Sequence, residues 1–390
     1  MLFMKNFTYS IPTTVHFGRD AVLQLGGAVR SYTDSVLLVY GGGSIKRNGV
    51  YDAVLAQLKE HGIRFAELSG VDPNPRIESV RAGIEICRRE KLGGVLAVGG
   101  GSSIDCAKVI AGGVHYPGDP WELVTGQAPY PSILPIFSVL TLSATGSEMD
   151  IFAVISKMDS RDKLGTSHPD MRPKVSILDP TYTFTVPKNQ TAAGTADIFS
   201  HICEGYFTVE QDAFVSDRFC EGLMKTCIHY APVALSQPDN YEARANLMWA
   251  SSNAINGMTE LGKPRAWSVH PIEHQLSAVY DITHGVGLAI LTPNWMTYVL
   301  NETTLPRFVT YGVNVWGMDP ALPPMEIARG AIARTREFFD SMGIPSTLGQ
   351  LGIDGSHIHE MAVKARTDSF DHTFMPLSVE DIEEIYRMSL

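Results

Sequence analysis

The first half of the chain alternates short apolar, β-branched runs with stretches whose apolar positions recur every three to four residues. That alternation predicts a parallel sheet with crossover helices. Val36-Leu37-Leu38-Val39-Tyr40 reads as a buried strand, and Gly41-Gly42-Gly43-Ser44 turns out of it. An amphipathic helix follows over 51–61, stopped by Gly62, and a second over 76–91 leads into the strand Val95-Leu96-Ala97-Val98. Gly99-Gly100-Gly101-Ser102-Ser103 then opens a helix that carries Asp105. Further strands are expected within 133–139, 153–156 and 175–178. Beyond Asp179-Pro180 and Val186-Pro187 the strand pattern ends, and helical stretches run on with expected breaks at Pro232, Pro238, Pro264, Pro293 and Pro306. The fold class expected is therefore an α/β N-terminal domain with a Rossmann-like parallel sheet over 1–185, followed by an all-α domain over 186–390. No internal repeat or low-complexity segment is evident.

Composition narrows the function without naming it. A chain of 390 residues exceeds the usual size of one hydrophobic core, in keeping with two domains. A net charge of −11 without a basic patch argues against nucleic acid as a partner. The first residues, from Met1, lack the basic and apolar regions of a secretory signal, and no apolar run approaches the roughly 20 residues that cross a bilayer. Cys87, Cys106, Cys203, Cys220 and Cys227 are scattered and show no C-x-x-C spacing, which fits free thiols in a reducing compartment. A cytoplasmic protein with neither a membrane nor a nucleic-acid partner is expected.

Two features carry chemistry. The run Gly99-Gly100-Gly101-Ser102 sits between a strand and a helix start, where backbone N–H groups and the helix dipole can face a phosphate. It lacks the G-x-G-x-x-G spacing of the common dinucleotide fingerprint, and a glycine turn can also be only a tight connection. The second feature is a set of histidines. Asp197 and His201 lie four apart on a helical stretch, so they share a face; His270 and His274 repeat that spacing, and His284 follows. Three imidazoles and a carboxylate suit Fe²⁺ or Zn²⁺, although helical histidines also occur as ordinary core or surface residues.

The stretches 194–204 and 267–285 resemble the two metal-site segments of the iron-containing alcohol dehydrogenases, and the resemblance runs from Phe17-Gly18 to about Tyr386. The branch it most resembles is that of NADPH-dependent butanol dehydrogenases and aldehyde reductases. The resemblance implies one divalent metal held by Asp197, His201, His270 and His284, with His274 beside the nicotinamide and not a ligand; the catalytic proton would then reach the product through His274 or the nicotinamide ribose hydroxyl, unless His274 only shapes the site. It implies that Gly99, Gly100, Gly101 and Ser102 hold the pyrophosphate, with Asp105 toward the nicotinamide. It further implies that Asn74, in Asp72-Pro73-Asn74-Pro75, closes on the adenosine, that Thr141, Ser143 and Thr145 line the adenine and phosphates, and that Lys163 meets the nicotinamide ribose. On the residues alone, Asp105 would be a helix-start charge and Lys163 a solvated surface lysine. A carboxylate at the end of the second strand would repel a 2′-phosphate; Gly41 stands there instead, with Gly42, Gly43, Ser44 and Lys46 after it, so NADP(H) is the expected carrier.

The activity implied is hydride transfer between the nicotinamide and a short- to medium-chain aldehyde or alcohol by a homodimeric enzyme. The competing readings are a lyase similar to dehydroquinate synthase, and a non-enzymatic nucleotide- or metal-binding sensor. The run Met149-Asp150-Ile151-Phe152 departs from the small and polar residues common in this branch. Met149, Ile151, Phe152 and Trp267 are expected to form apolar pocket walls, and Asp150 either pairs internally or meets a polar substrate.

Overall fold

The computed structural model describes residues 4–209, 212–263 and 265–390. Pro264 and the first three residues, on which two of the expectations above fall, lie outside that set. Eight strands occur among the described residues, all before residue 180: β1 (Thr14–Phe17), β2 (Ser35–Tyr40), β3 (Arg64–Leu68), β4 (Val95–Gly99), β5 (Ile136–Leu140), β6 (Phe152–Lys157), β7 (Asp162–Ser167) and β8 (Val175–Leu178). Six make one sheet in the order β1-β8-β5-β4-β2-β3, and every pairing is parallel. β6 and β7 form a separate antiparallel hairpin. β2, β4, β5 and β8 are buried along their length, as their near-continuous apolar runs require of a sheet covered on both faces.

β1 and β3, the two edges, were not legible as strands. Each is exposed at alternate or terminal positions and carries polar residues such as His16, Arg64 and Glu67, so neither presents a clear apolar run. On one face of the sheet, Val50, Val54 and Leu58 of the helix Val50–Glu60 pack with Leu25 and Val29 against Leu38, Leu96 and Val98. On the other, Val80 and Ile84 of the helix Ile77–Glu90 and Ile104, Ala107 and Ile110 of the helix Gly101–Gly113 pack against Leu37, Val39, Val95 and Ala97. The loops after adjacent strands β2 and β4 thus lead to helices on opposite faces, the switch point at which open parallel sheets take ligands.

The chain divides into two compact units, one of residues 10–186 with 238–252, the other of residues 4–9, 187–237 and 253–390. The segment 238–252 lies beyond the change of pattern near residue 185 and still belongs with the sheet. Met248 is buried in its core, Trp249 meets Phe17 edge to face at 5.9 Å, and Ser252 donates to the Glu148 carboxylate. Helical periodicity shows that a face is apolar but not which partner it covers. The second unit is helical among its described residues, with helices at Lys188–Tyr206, Phe214–Ser236, His270–Tyr280, His284–Val299, Leu305–Asn314, Pro324–Ser341, Ile358–Ala365 and Val379–Met388. Two expected breaks are absent: Pro232 and Pro293 lie inside helices, where packing of the surrounding apolar residues offsets one lost backbone bond. Pro306 instead sits in the first turn of its helix. None of the helices among the described residues is long and apolar enough to cross a membrane.

Candidate metal centre and nucleotide site

Asp197, His201 and Glu204 fall on one face of the helix Lys188–Tyr206 because they are spaced at i, i+4 and i+7. His270 opens the next helix of the site, with Pro271 at its first turn. The orphan amides of that helix start are met by one carboxylate: Ser268, Val269 and His270 donate their backbone N–H groups to Glu204 at 2.7, 2.8 and 3.0 Å. His270 Nδ1 lies 2.9 Å from the same Glu204, so the ring presents Nε2 to the opposite side. His284 opens the helix His284–Val299, and Gly285 brings that helix against Lys188–Tyr206. A Cβ on Gly285 would lie 1.9 Å from the Ala193 carbonyl oxygen.

The result is a convergence of nitrogens on one oxygen. His201 Nδ1, His270 Nε2 and His284 Nε2 stand 3.4, 3.7 and 3.7 Å from Asp197 Oδ1. Donors about 2.0–2.2 Å from a shared ion sit roughly 3.0–3.6 Å from one another. Asp197 Oδ1, His201 Nδ1 and His270 Nε2 are buried and lack a hydrogen-bond partner among the described residues. Buried polar atoms are seldom left so, and these three atoms lie close enough together to share a cation, with His284 reaching Asp197 from the side where it also meets Glu273 and His274. Burial alone would push Asp197 up, but the imidazoles that face it, His201 foremost, hold its carboxyl well below the usual range. Burial pushes His201 well below the ordinary histidine value, keeping it a neutral donor. His274 does not join this group. It lies with Glu273 and His284, its ring 5.4 Å from that of His284 and 6.3 Å from that of His270. Trp267 borders the cluster, edge to face with His270 at 5.1 Å, and Arg265 lies against its other side.

The expected nucleotide residues gather in the other unit, at the carboxyl ends of neighbouring strands. Gly41, Gly42, Gly43 and Ser44 follow β2, Gly99 to Ser102 close β4 and open its helix, and Thr141 follows β5 with its N–H on the Gly99 carbonyl at 3.0 Å. A Cβ at Gly101 would meet Thr145 Oγ1 at 2.3 Å, so that turn admits no side chain. Asp105 is not merely a helix-start charge. Its two oxygens accept from Ser147 Oγ at 2.6 Å and from the Val154 N–H at 2.9 Å, tying the helix to the 141–148 segment and to β6; burial pushes it up to about 6. Asn74, at φ 55°, sits in a loop whose Pro75 carbonyl accepts the Ser156 N–H of β6. Ser143 and Thr145 are partly exposed. Lys163, on β7, is 4% exposed, which corrects the solvated-surface reading of the residue alone. Asp150 pairs internally: Lys108 Nζ, wholly buried, lies 2.5 Å from its carboxylate, and the Phe152 N–H donates to it at 2.8 Å. The polar-substrate role imagined for Asp150 therefore falls. Met149 is buried as well, whereas Ile151 and Phe152 are partly exposed.

Residues 12–180 match the iron-containing alcohol dehydrogenase family, and residues 191–390 match the C-terminal part of the Fe-containing alcohol dehydrogenase family. The chain belongs to the iron-containing alcohol dehydrogenases. It is 58% identical to NADH-dependent butanol dehydrogenase A of Clostridium acetobutylicum over 99% of this chain and 100% of that one. It is 39% identical to the NADPH-dependent aldehyde reductase YqhD of Escherichia coli over 93% of each. The solved structure of a butanol dehydrogenase A from Thermotoga maritima superposes with a TM-score of 0.95 at 38% identity, covering all of both chains. The protein is thus an alcohol dehydrogenase or aldehyde reductase, a family that joins a nicotinamide cofactor to an iron ion. The lyase and sensor readings give way to it. Sequence reasoning missed Glu204 and Glu273 beside the histidines, and Lys108 beneath Asp150. Glu204 had a signal in its i+7 spacing from Asp197, whereas the pairing of Lys108 with Asp150, 42 residues apart, had none.

Proposed function

We propose that Asp197, His201, His270 and His284 hold one iron ion, and that the protein reduces short- to medium-chain unbranched aldehydes with NADPH in the cytoplasm. The observation that carries this is the convergence of three imidazole nitrogens on Asp197 Oδ1 at 3.4 to 3.7 Å, with no competing hydrogen bonds for three of the four donor atoms among the described residues. The donor set alone suits iron or zinc; the family favours iron. When bound, the ion supplies Lewis-acid polarisation of a carbonyl oxygen and the nicotinamide supplies hydride. Asp197 contributes the negative charge that retains a divalent ion among neutral imidazoles. The N–H groups of the Gly99–Gly101 turn are the donors for the pyrophosphate, and His274 is the group proposed to pass a proton to the product oxygen. Butanol dehydrogenases among the relatives support a substrate of about this length. Five buried unpaired cysteines support a reducing compartment, and a homodimer belongs to the same proposal.

Elemental analysis and NADPH oxidation with butanal test the reading. His270→Ala and His284→Ala should each lose most of the iron and the activity together. Full iron occupancy in the double variant would overturn the assignment.

NADP(H) rests on the missing carboxylate at Gly41. A second reading, NAD(H), is favoured by Lys46, whose ammonium lies over the rings of Tyr40 and Tyr51 at 5.0 and 4.5 Å and so has an internal partner. The Clostridium relatives are named NADH-dependent and the Escherichia coli reductase NADPH-dependent. The ratio of kcat/KM for NADPH and NADH decides between them. Gly41→Asp should shift that ratio toward NADH. Gly41→Ala serves as the control, because any Cβ there comes within 3.2 Å of the Val71 carbonyl oxygen.

A further inference from the structure

We infer that Glu273 is the positioning residue that makes His284 a metal donor. The inference rests on the proposed metal site and concerns a residue outside the donor set. Glu273 is completely buried on the helix His270–Tyr280, one turn after His270, and its Oε2 is hydrogen-bonded to His284 Nδ1. Its other oxygen accepts from Ser277 Oγ at 2.5 Å, one turn further along. Gly287 packs on the same side chain: a Cβ there would lie 2.8 Å from both Glu273 Cγ and Oε1. The carboxylate is therefore fixed by its own helix on one side and by the His284 helix on the other.

A carboxylate accepts but cannot donate at neutral pH, so the proton of His284 must sit on Nδ1. Nε2 is then left with its lone pair, aimed at the Asp197 oxygen 3.7 Å away. Without Glu273 the ring could carry its proton on either nitrogen and rotate about its side-chain bonds. His284 needs this constraint more than its neighbours, because its side chain is 21% exposed whereas those of His201 and His270 are 6% and 4% exposed. His270 is held in the same way by Glu204, but that carboxylate also caps a helix through three backbone amides, so its loss would damage the fold directly. Glu273 instead meets the His284 ring and the Ser277 hydroxyl, which makes it the cleaner residue to test.

The test is iron affinity by chelator competition on the full-length protein, together with the ¹⁵N shifts of His284 in metal-free enzyme. Glu273→Gln should weaken iron binding roughly 10- to 100-fold, the range for removing the carboxylate behind a ligating histidine, with far-UV circular dichroism unchanged. Metal-free wild type should show His284 protonated at Nδ1, and Glu273→Gln should show a mixture of tautomers. Wild-type affinity in Glu273→Gln, while His270→Ala still loses iron, would overturn the role of Glu273 and leave the metal site standing. Should the variant fail to fold, a wild-type His284 protonated at Nε2 would overturn it equally. Full iron retention in His270→Ala would instead strike the metal reading itself.

Discussion

Two buried carboxylates at neighbouring positions behave in opposite ways. Asp150 is neutralised by Lys108, so Asp150→Asn would strand a wholly buried ammonium. Breaking one side of such a pair costs about 3–5 kcal/mol. The expected outcome is a large fall in unfolding free energy in urea, with the relative kcat/KM for butanal, 3-hydroxypropanal and an amino-aldehyde unchanged. A selective loss of one polar substrate would show that Asp150 faces the pocket after all. Glu148 has no ion pair among the described residues: one oxygen accepts from Ser252, the other has no hydrogen-bond partner, and burial pushes the group up to about 7. A carboxyl raised above its unfolded value of about 4.5 loses stability as pH rises from about 4.5 through 7, because the unfolded chain ionises first. At about 1.4 kcal/mol per pH unit, that is on the order of 3 kcal/mol. Glu148→Gln should therefore raise Tm relative to wild type at pH 8 and change it little at pH 4.5. An equal shift at both values would refute the ionisation argument.

The decisive device among the elements is the close crossing of Lys188–Tyr206 with His284–Val299. Gly285 permits it, since its missing Cβ would occupy the position of the Ala193 carbonyl. A backbone atom cannot swing aside as a flexible side chain can, so Gly285→Ala must push the two helices apart. Overpacking of this kind costs about 1–3 kcal/mol or more. The displacement falls on His284, the next residue, and so on its distance to Asp197. Gly285→Ala should lower Tm and the iron content together, whereas Gly222→Ala, at an open position of the helix Phe214–Ser236, should affect neither. The glycine turn after β4 is the counterpart in the other unit. Gly101→Ala should weaken NADPH binding, read by nicotinamide fluorescence, with iron retained.

Across the whole molecule, the proposed metal donors all belong to one unit and the glycine turns to the other. Chelation should accordingly abolish turnover and lower Tm, by mass action on the folded state, while NADPH still titrates the metal-free enzyme. Loss of NADPH binding on chelation would show that the ion is needed to build the nucleotide site.

Much of this was legible from residue order, for a physical reason: local periodicity reports local structure. The buried strands around 36–40, 95–98 and 175–178, the glycine turns after two of them, and the i,i+4 pairing of Asp197 with His201 follow from neighbours along the chain. The edge strands β1 and β3 escaped because an edge needs no continuous apolar run. What tertiary structure alone decided were pairings between residues far apart in the chain. Those pairings joined Glu204 to His270 and Lys108 to Asp150, brought Gly285 against Ala193, and placed the segment 238–252 in the unit of the sheet. Each depends on which buried charge or backbone group finds its complement once the helices pack, and spacing along a chain carries no record of that.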